Sequence, residues 1–336
     1  MDRTHEAMKS IGFFGIFNQS FKTIFNSKKL FTQISLTLIL PLTIIFLAHI
    51  QISNHFFWRV ENNYLTYYYS TYHNVTVADW LYYWLFKIIY FTFLTVFSLL
   101  STAAVVFTVA SVYSDREITF RQVMKIVPNV WKKLFITFVF IYFALFIYNV
   151  IYGIVMFIFI SIFGYSGSVV VLWFIVLILY VLGLLYLTVV WQLASVVTVL
   201  ENIRGFNAMK KGKILANGKK MVGMGIAFVL YGILLGLIVV YQLFVEFGGE
   251  ISGLAMIWRV MIGVSCGIVI TMLFLMFIVT QTVLYLVCKS YHREAIDKLS
   301  LSTFLGAYTA ETVVYPKPGE EIQLGRPQPP VPAQQV

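Results

Sequence analysis

The chain has 336 residues, of which 60% are hydrophobic, 18% aromatic and only 11% charged. In soluble domains about a quarter of residues are charged, so this composition argues against a soluble globular protein. The net charge is +10, but the basic residues lie beside long apolar runs rather than in a separate basic domain. This distribution argues against direct nucleic-acid binding and favours a membrane surface as the partner of the charge.

Six apolar runs are long enough to cross a bilayer, which takes about 20 helical residues. They cover residues 30–50, 88–110, 134–160, 169–189, 221–241 and 260–286. We therefore predict an all-α fold, a polytopic transmembrane helical bundle of six spans. The predicted parts are a cytoplasmic amphipathic segment (1–29), the membrane domain (30–288) and a cytoplasmic tail (289–336), which is proline-rich and disordered from 316.

The positions of the charges predict the topology. Nearly all of the 24 basic residues fall before the first span, after the second and fourth spans, or in the tail; Arg59, Lys87 and Arg259 are the exceptions. The positive-inside rule then places both termini in the cytoplasm. The endoplasmic reticulum and the plasma membrane both remain open as the location.

A lysine pair opens every second span, and a short amphipathic stretch precedes each pair. In the first stretch, Phe13, Phe17, Phe21 and Ile24 fall on one predicted helix face. This recurrence predicts three hairpins, each preceded by an interfacial amphipathic helix. The basic residues predicted to bind anionic headgroups are Lys28, Lys29, Lys132, Lys133, Lys210, Lys211, Lys213, Lys219 and Lys220.

Proline and glycine positions carry two further hypotheses. Pro41 in the first span predicts a helix kink, which serves either packing or, in a transporter, a binding site. The two small-residue motifs of the last hairpin predict close packing of its spans, with a dimer interface as the alternative. Their residues are Gly232, Gly236, Gly263 and Gly267.

No motif for catalysis is evident in the sequence. The histidines are scattered, and neither metal-ligand spacing nor a phosphate-binding glycine loop is found, so we predict no catalytic residue, metal or cofactor. Glu201 is expected to pair with a nearby lysine or to cap the following helix. The tail pattern of Arg326, Pro329 and Pro332 is a candidate polyproline docking motif, although such patterns are frequent in proline-rich tails.

Two stretches are similar to a plant family of polytopic membrane proteins of uncharacterised function. They are SLLSTAAVVFTVASVY at 98–113, continuing to Pro128 and KLFIT at 133–137, and LTLILPLT at 36–43 with residues 47–49. Members are sometimes labelled polyadenylate-binding-protein-binding proteins, which implies a cytoplasmic protein partner. Residues 199–209 resemble a loop of the bacterial membrane domain sometimes fused to glycerophosphodiester phosphodiesterases, but the catalytic barrel of those enzymes has no counterpart here.

Our leading functional hypothesis is a non-enzymatic membrane protein that organises membrane or presents basic cytoplasmic surfaces to anionic lipid or a protein partner. The alternative is a transporter or channel for a neutral or lipid-like solute, supported by Pro41 and by amides within the spans. A phospholipid-modifying enzyme ranks third, because no active site can be located.

The sequon at Asn74 tests the topology, because it lies in the first loop, which the predicted orientation places outside or in the lumen. We expect a glycosidase-sensitive mobility shift on gels that is lost in Asn74→Gln. Modification at the second sequon, Asn18, would instead show that the protein has the opposite orientation.

Overall fold

The computed structural model describes residues 11–53, 77–114, 118–163, 170–201, 203–251 and 253–292, with side chains omitted at 77–80, 163, 250 and 251. Asn74, Arg59 and the predicted tail beyond residue 292 lie outside this described part of the chain. Within it the regular structure is helical throughout and contains no strand, which confirms the all-α prediction.

Eight helices longer than one turn make up the described chain. They are α1 (Phe13–Asn26), α2 (Lys28–Ser53), α3 (Val77–Tyr113), α4 (Phe120–Phe163), α5 (Val170–Leu200), α6 (Phe206–Ala216), α7 (Lys220–Glu246) and α8 (Met256–Tyr291). All except α1 and α6 are long and apolar enough to cross a membrane, so the structure has six candidate spans, the number expected from the sequence.

The long helices pack as three antiparallel hairpins, α2 with α3, α4 with α5, and α7 with α8. The end at which α2, α4 and α7 begin, and α3, α5 and α8 end, carries most of the lysines, and we call it the basic end. The buried hydrophobic cluster lies near this end, from Leu99 to Ala110 of α3, along the last part of α5 and from Leu275 to Cys288 of α8. The basic end is therefore the most tightly packed part of the fold.

Towards the opposite end, α4 and α5 present apolar side chains on most of their surface. Phe146 and Phe157 of α4 are 66% and 72% exposed, and Val171 and Leu179 of α5 are 71% and 64% exposed. In α5 the buried residues are confined to its last 13 of 31 residues, from Thr188 onward. Exposure of this kind suits helices that contact lipid chains rather than water.

Helix α6 packs closely along α5 because a glycine lies at their contact. A Cβ atom added at Gly212 would stand 2.7 Å from the backbone oxygen of Val190 and 3.0 Å from the backbone nitrogen of Ala194. Neither backbone atom can move aside as a flexible side chain would. Gly212 thus allows the short basic helix α6 to lie directly against a membrane-spanning helix.

The predicted disturbance at Pro41 takes the form of a π-helical turn at Ser35–Ile39, immediately before the proline. The Leu40 amide donates to the Ser35 carbonyl, five residues earlier. This wider turn is one of the recognised causes of bends in helices. Helix α2 then continues to Ser53, and the Thr271 hydroxyl of α8 donates to Thr43 at 3.1 Å.

The second hairpin differs from the prediction. Residues 118–133 do not form a separate interfacial helix, because α4 runs without interruption from Phe120 and includes Pro128. Val127 and Val130, on either side of the proline, are buried in the core. Packing of this segment against the bundle holds the helix together where a proline would otherwise end it.

Helix α1 also differs in the face that it buries. Ile16, Ser20 and Thr23 are buried, whereas Phe21, which was expected on the same apolar face as Phe13, is 51% exposed. The hydroxyls of Ser20 and Thr23 donate to backbone carbonyls one turn earlier, at 2.8 Å each, so both side chains can face α7 and α8 without an unpaired polar group.

We expect Gly212→Val to destabilise the protein by about 1–3 kcal/mol, because the added side chain would force α6 away from α5. Gly232→Val in α7 is the matched control, since a Cβ there meets nothing within 4 Å and the change in helix propensity is the same. Thermal unfolding of the purified protein in detergent measures both. Equal loss of stability in the two variants would contradict the close contact at Gly212.

Candidate functional site

The basic end exposes a set of cations on several helices. Of the nine lysines predicted to bind headgroups, six are exposed and three are half-buried, the latter being Lys133, Lys211 and Lys219. The exposed ones are Lys28, Lys29, Lys132, Lys210, Lys213 and Lys220. Four further exposed cations belong to the same end: Lys22, Arg121, Lys125 and Arg204. The described part of this end therefore has a strongly basic surface, which we call the basic face.

One carboxylate lies beneath this face and connects three helices. Glu201, just beyond the end of α5, has a side chain that is only 12% exposed. Its Oε2 lies 2.6 Å from Nζ of Lys211 on α6, and its Oε1 lies 2.7 Å from Nζ of Lys289 on α8. The Tyr285 hydroxyl of α8 donates to the same Oε1 at 2.5 Å. We call these four residues the Glu201 cluster.

The charge state of Glu201 follows from these contacts. Burial alone would raise its pKa, but the hydrogen bonds from Lys211, Lys289 and Tyr285 outweigh this effect and leave the pKa below its ordinary value. Glu201 is therefore ionised at neutral pH and balances part of the positive charge of Lys211 and Lys289. The sequence-based expectation of a lysine partner is confirmed, and Lys289 adds a second one.

The loop between α5 and α6 is held by a pair of threonines. The hydroxyls of Thr137 on α4 and Thr198 on α5 lie 3.0 Å apart, and the Gly205 amide donates to Thr137 at 2.9 Å. Gly205 has φ 65°, a left-handed conformation that favours glycine, and a Cβ there would stand 3.2 Å from the ring of Phe140. This arrangement places the start of α6, and with it Lys210 and Lys213.

Lys219 fixes the segment that leads into α1. Its ammonium donates to the Ile11 carbonyl at 3.2 Å and lies 5.9 Å from the centre of the Tyr291 ring. A lysine expected to bind lipid headgroups is thus partly engaged in joining the N-terminal segment to α8. Lys220, its neighbour in the pair, remains exposed.

At the opposite end Lys87 connects the first two spans. Its ammonium lies 2.9 Å from His49 Nε2 and donates to the Ser53 hydroxyl at 2.9 Å, and it lies 5.3 Å from the centre of the Tyr83 ring. His49 in turn stacks on Tyr90 with ring centres 3.6 Å apart. Lys87 therefore bonds to α2 near the end of that helix.

Arg259, another basic residue outside the basic end, provides hydrogen-bond donors for the last backbone carbonyls of α7. It donates two hydrogen bonds to the Val245 carbonyl, at 2.9 and 2.6 Å, and one to the Glu246 carbonyl at 3.1 Å. The last carbonyls of a helix have no partner within the helix, and a guanidinium close to them is also favoured by the helix dipole. This arginine thus has a structural role.

The two glycines of α8 make contacts at ordinary van der Waals distance rather than unusually close ones. A Cβ at Gly263 would stand 3.6 Å from Val245 of α7, and one at Gly267 would stand 3.6 Å from Leu47 of α2. At Gly232 and Gly236 the described residues leave open space within 4 Å. An interchain contact at these two glycines stays a prediction, as does docking through Arg326, Pro329 and Pro332, which lie outside the described residues.

A cavity of about 300 Å³ lies between the spans, and each of the six long helices contributes to its wall. Aromatic and aliphatic side chains form most of the lining, together with a few hydroxyls and the Gln281 amide. The described residues contain no group of His, Cys, Asp and Glu that could hold a metal ion. Within the described residues, the candidate sites that we consider are the basic face and this central cavity.

Comparison with known proteins assigns the family without a function. The family model "Domain of unknown function (DUF8558)" matches residues 1–326. The chain belongs to this family. No curated protein and no solved structure matches the chain. The match covers the six spans and the Glu201 cluster together, so both are parts of a single family domain.

Sequence reasoning did not reveal two features of these sites. Lys289 is 88 positions from Glu201, and only the return of α8 to the basic end brings the two together. The cavity has no sequence signal, since its lining residue types are those of any membrane helix.

We expect Glu201→Gln to lower stability by about 2 kcal/mol, because Lys211 and Lys289 would lose their ionic partner in a half-buried position. The depressed pKa gives the effect a pH dependence: the contribution of Glu201 is complete above the ordinary glutamate pKa and is lost as the pH falls through the lower value in the folded protein. The difference in Tm between wild type and variant should therefore shrink below about pH 4.

Adjacent lysines provide the control for this prediction. Lys211→Met removes one partner of Glu201, while Lys210→Met removes an exposed charge on the same helix. We expect the first to lower the Tm and the second to leave it nearly unchanged. A Tm difference between wild type and Glu201→Gln that is independent of pH would show that ionisation of Glu201 contributes nothing.

Proposed function

We propose that this protein is a non-enzymatic integral membrane protein whose basic face lies on the cytoplasmic side and binds anionic lipid headgroups, thereby organising the membrane around it. The observation that carries the proposal is the ten exposed lysines and arginines of the basic face, beneath which Glu201 is already neutralised by two further lysines. A lysine or arginine near an anionic leaflet contributes about 1 kcal/mol to binding.

Helix α1 supports the proposal through a second apolar stripe. Phe14, Phe21 and Phe25 are 84%, 51% and 67% exposed, and positions 14, 21 and 25 repeat at helical spacing on the side away from the bundle. Lys22 is exposed beside them. Exposed phenylalanines next to lysines suit a helix that lies along the headgroups with its rings among the acyl chains.

Rigidity of the basic face also supports the proposal. The short helix α6 is fixed by Gly212 against α5, by the Thr137–Gly205 hydrogen bond and by the Lys211–Glu201 ion pair. The backbone positions of Lys210 and Lys213, on the exposed side of this helix, are therefore fixed before any lipid arrives. Groups that are already ordered lose less conformational entropy on binding.

One observation favours the alternative, transport or binding of a neutral or lipid-like solute: the cavity to whose wall all six long helices contribute. The resemblance to the plant family also implies a cytoplasmic protein partner, which would contact the same basic face or the tail. The endoplasmic reticulum and the plasma membrane both contain anionic lipid in the cytoplasmic leaflet and both suit the proposal.

The proposal is tested by replacing exposed lysines that make no internal contact in the described structure. The full-length protein with Lys210→Gln, Lys213→Gln and Lys220→Gln is reconstituted into bilayers with equal amounts of phosphatidylserine and phosphatidylcholine, and then extracted. We expect the ratio of phosphatidylserine to phosphatidylcholine that copurifies to fall by about half or more, since three contributions of about 1 kcal/mol are removed.

The matched control keeps the charges by replacing the same three lysines with arginine. We expect this variant to retain the lipid ratio of the wild type, and high salt to reduce the ratio in both. An unchanged ratio in the glutamine variant would contradict a role of the basic face in lipid binding.

A further inference from the structure

The central cavity extends from the middle of the six long helices towards the basic end. Ser195 is five residues before the end of α5, and Gln281 is ten residues before the end of α8. At 1.5 Å per residue these positions lie about 8 and 15 Å from the helix ends. Leu42 and Phe46 of α2 line the cavity farther inward.

The larger part of the lining is apolar and aromatic. Phe138, Trp191, Phe274 and Phe277 come from three different helices and surround the space together with Phe46. Flat rings on several sides provide large contact areas for a hydrocarbon or a fused ring system. Because none of the described lining residues carries a charge, an ion or a zwitterionic headgroup would lose its hydration without compensation.

A few polar groups lie in this apolar wall. Ser98 and Thr102 face the cavity from α3, and Gln281 faces it from α8. The Gln281 side chain is more than nine-tenths buried, and the structure records no hydrogen-bond partner for its amide among the described residues. A buried amide without a partner costs free energy, and a ligand hydroxyl or carbonyl would remove that cost.

The irregular part of α2 adjoins the same cavity. Leu42 follows Pro41, and the π-helical turn Ser35–Ile39 ends just before the proline. Turns of this kind occur frequently at functional sites, where they redirect the side chains that follow. Phe46, one turn beyond Leu42, also packs edge-to-face against Phe274 of α8, with ring centres 5.7 Å apart.

We propose that the cavity binds one neutral, mostly hydrocarbon molecule with a single hydroxyl or carbonyl group, of the sterol or long-chain-alcohol class. Its polar group bonds to Gln281, with Ser98 and Thr102 nearby, and its hydrocarbon part contacts the aromatic wall. The volume lies at the lower end of the range for small-molecule sites, which suits one ring system or one chain. This binding does not depend on the basic face.

Photolabelling of the purified full-length protein in bilayers tests the proposal. The probes are a photoreactive sterol, a photoreactive long-chain alcohol and, as a charged comparison, a photoreactive fatty acid at neutral pH, with labelled positions mapped by mass spectrometry. We expect saturable labelling of cavity-lining residues by a neutral probe and competition by its unlabelled form. Labelling confined to lipid-facing positions, or equal labelling by the fatty acid, would overturn the proposal.

Two variants locate the labelling. Ser98→Phe fills the cavity and should reduce labelling at least about fivefold, whereas Thr92→Phe, an exposed position on the same helix, should leave it unchanged.

Gln281→Leu removes the amide with little change in volume. The wild type should prefer a sterol with a free hydroxyl over its methyl ether by about fivefold, and this preference should disappear in Gln281→Leu.

The outcomes separate this site from non-specific lipid contact. A similar reduction in Ser98→Phe and Thr92→Phe would assign the labelling to the outer surface and overturn the proposal. Retention of the hydroxyl preference in Gln281→Leu would also overturn it. A loss of anionic-lipid enrichment in the basic-face variant, with unchanged photolabelling, would show that the two sites are independent.

Discussion

The basic end of this protein depends on one carboxylate. Glu201 lies where α5 ends, and its two oxygens contact lysines from α6 and α8 while a tyrosine hydroxyl donates to one of them. Without this charge, Lys211 and Lys289 would repel one another in a half-buried position, and α6 would keep its buried residues, its glycine contact and the threonine-held loop but lose its ion pair. A dense set of exposed lysines can therefore surround a well-packed core because the buried ones are neutralised locally.

Much of the fold was predictable from the sequence because span length and hydropathy are properties of single segments. The failures were at positions where packing against other helices overrides local rules. A separate interfacial helix was expected before the second hairpin, but buried valines on both sides of Pro128 keep this segment within α4. In α1, Phe21 was expected on the apolar face, yet Ser20 and Thr23 are the residues that face the bundle, because each hydroxyl bonds to a backbone carbonyl one turn earlier. Phe14, Phe21 and Phe25 therefore lie on the face of α1 that points away from the bundle.

The candidate sites differ in how far the sequence could predict them. Charge is visible residue by residue, so the lysines of the basic face and the need of Glu201 for a cationic partner were predictable. The internal engagement of Lys219 was not, since its partners are the Ile11 carbonyl and the Tyr291 ring, which only the fold brings near. The cavity was hidden altogether, because a phenylalanine that lines a space and one that fills a core follow the same periodicity.

The basic face and the central cavity share helices α5 and α8. The packing of these helices at the basic end is therefore related to the width of the cavity. On α8, Gln281 and Tyr285 are four residues apart and so lie on one face, with the first at the cavity and the second bonded to Glu201. On α5, Ser195 lines the cavity just before Glu201. The Glu201 cluster therefore joins the two helices one turn beyond Gln281 on α8 and six residues beyond Ser195 on α5. The contact that neutralises Lys211 and Lys289 thus also holds together the ends of two helices that line the cavity.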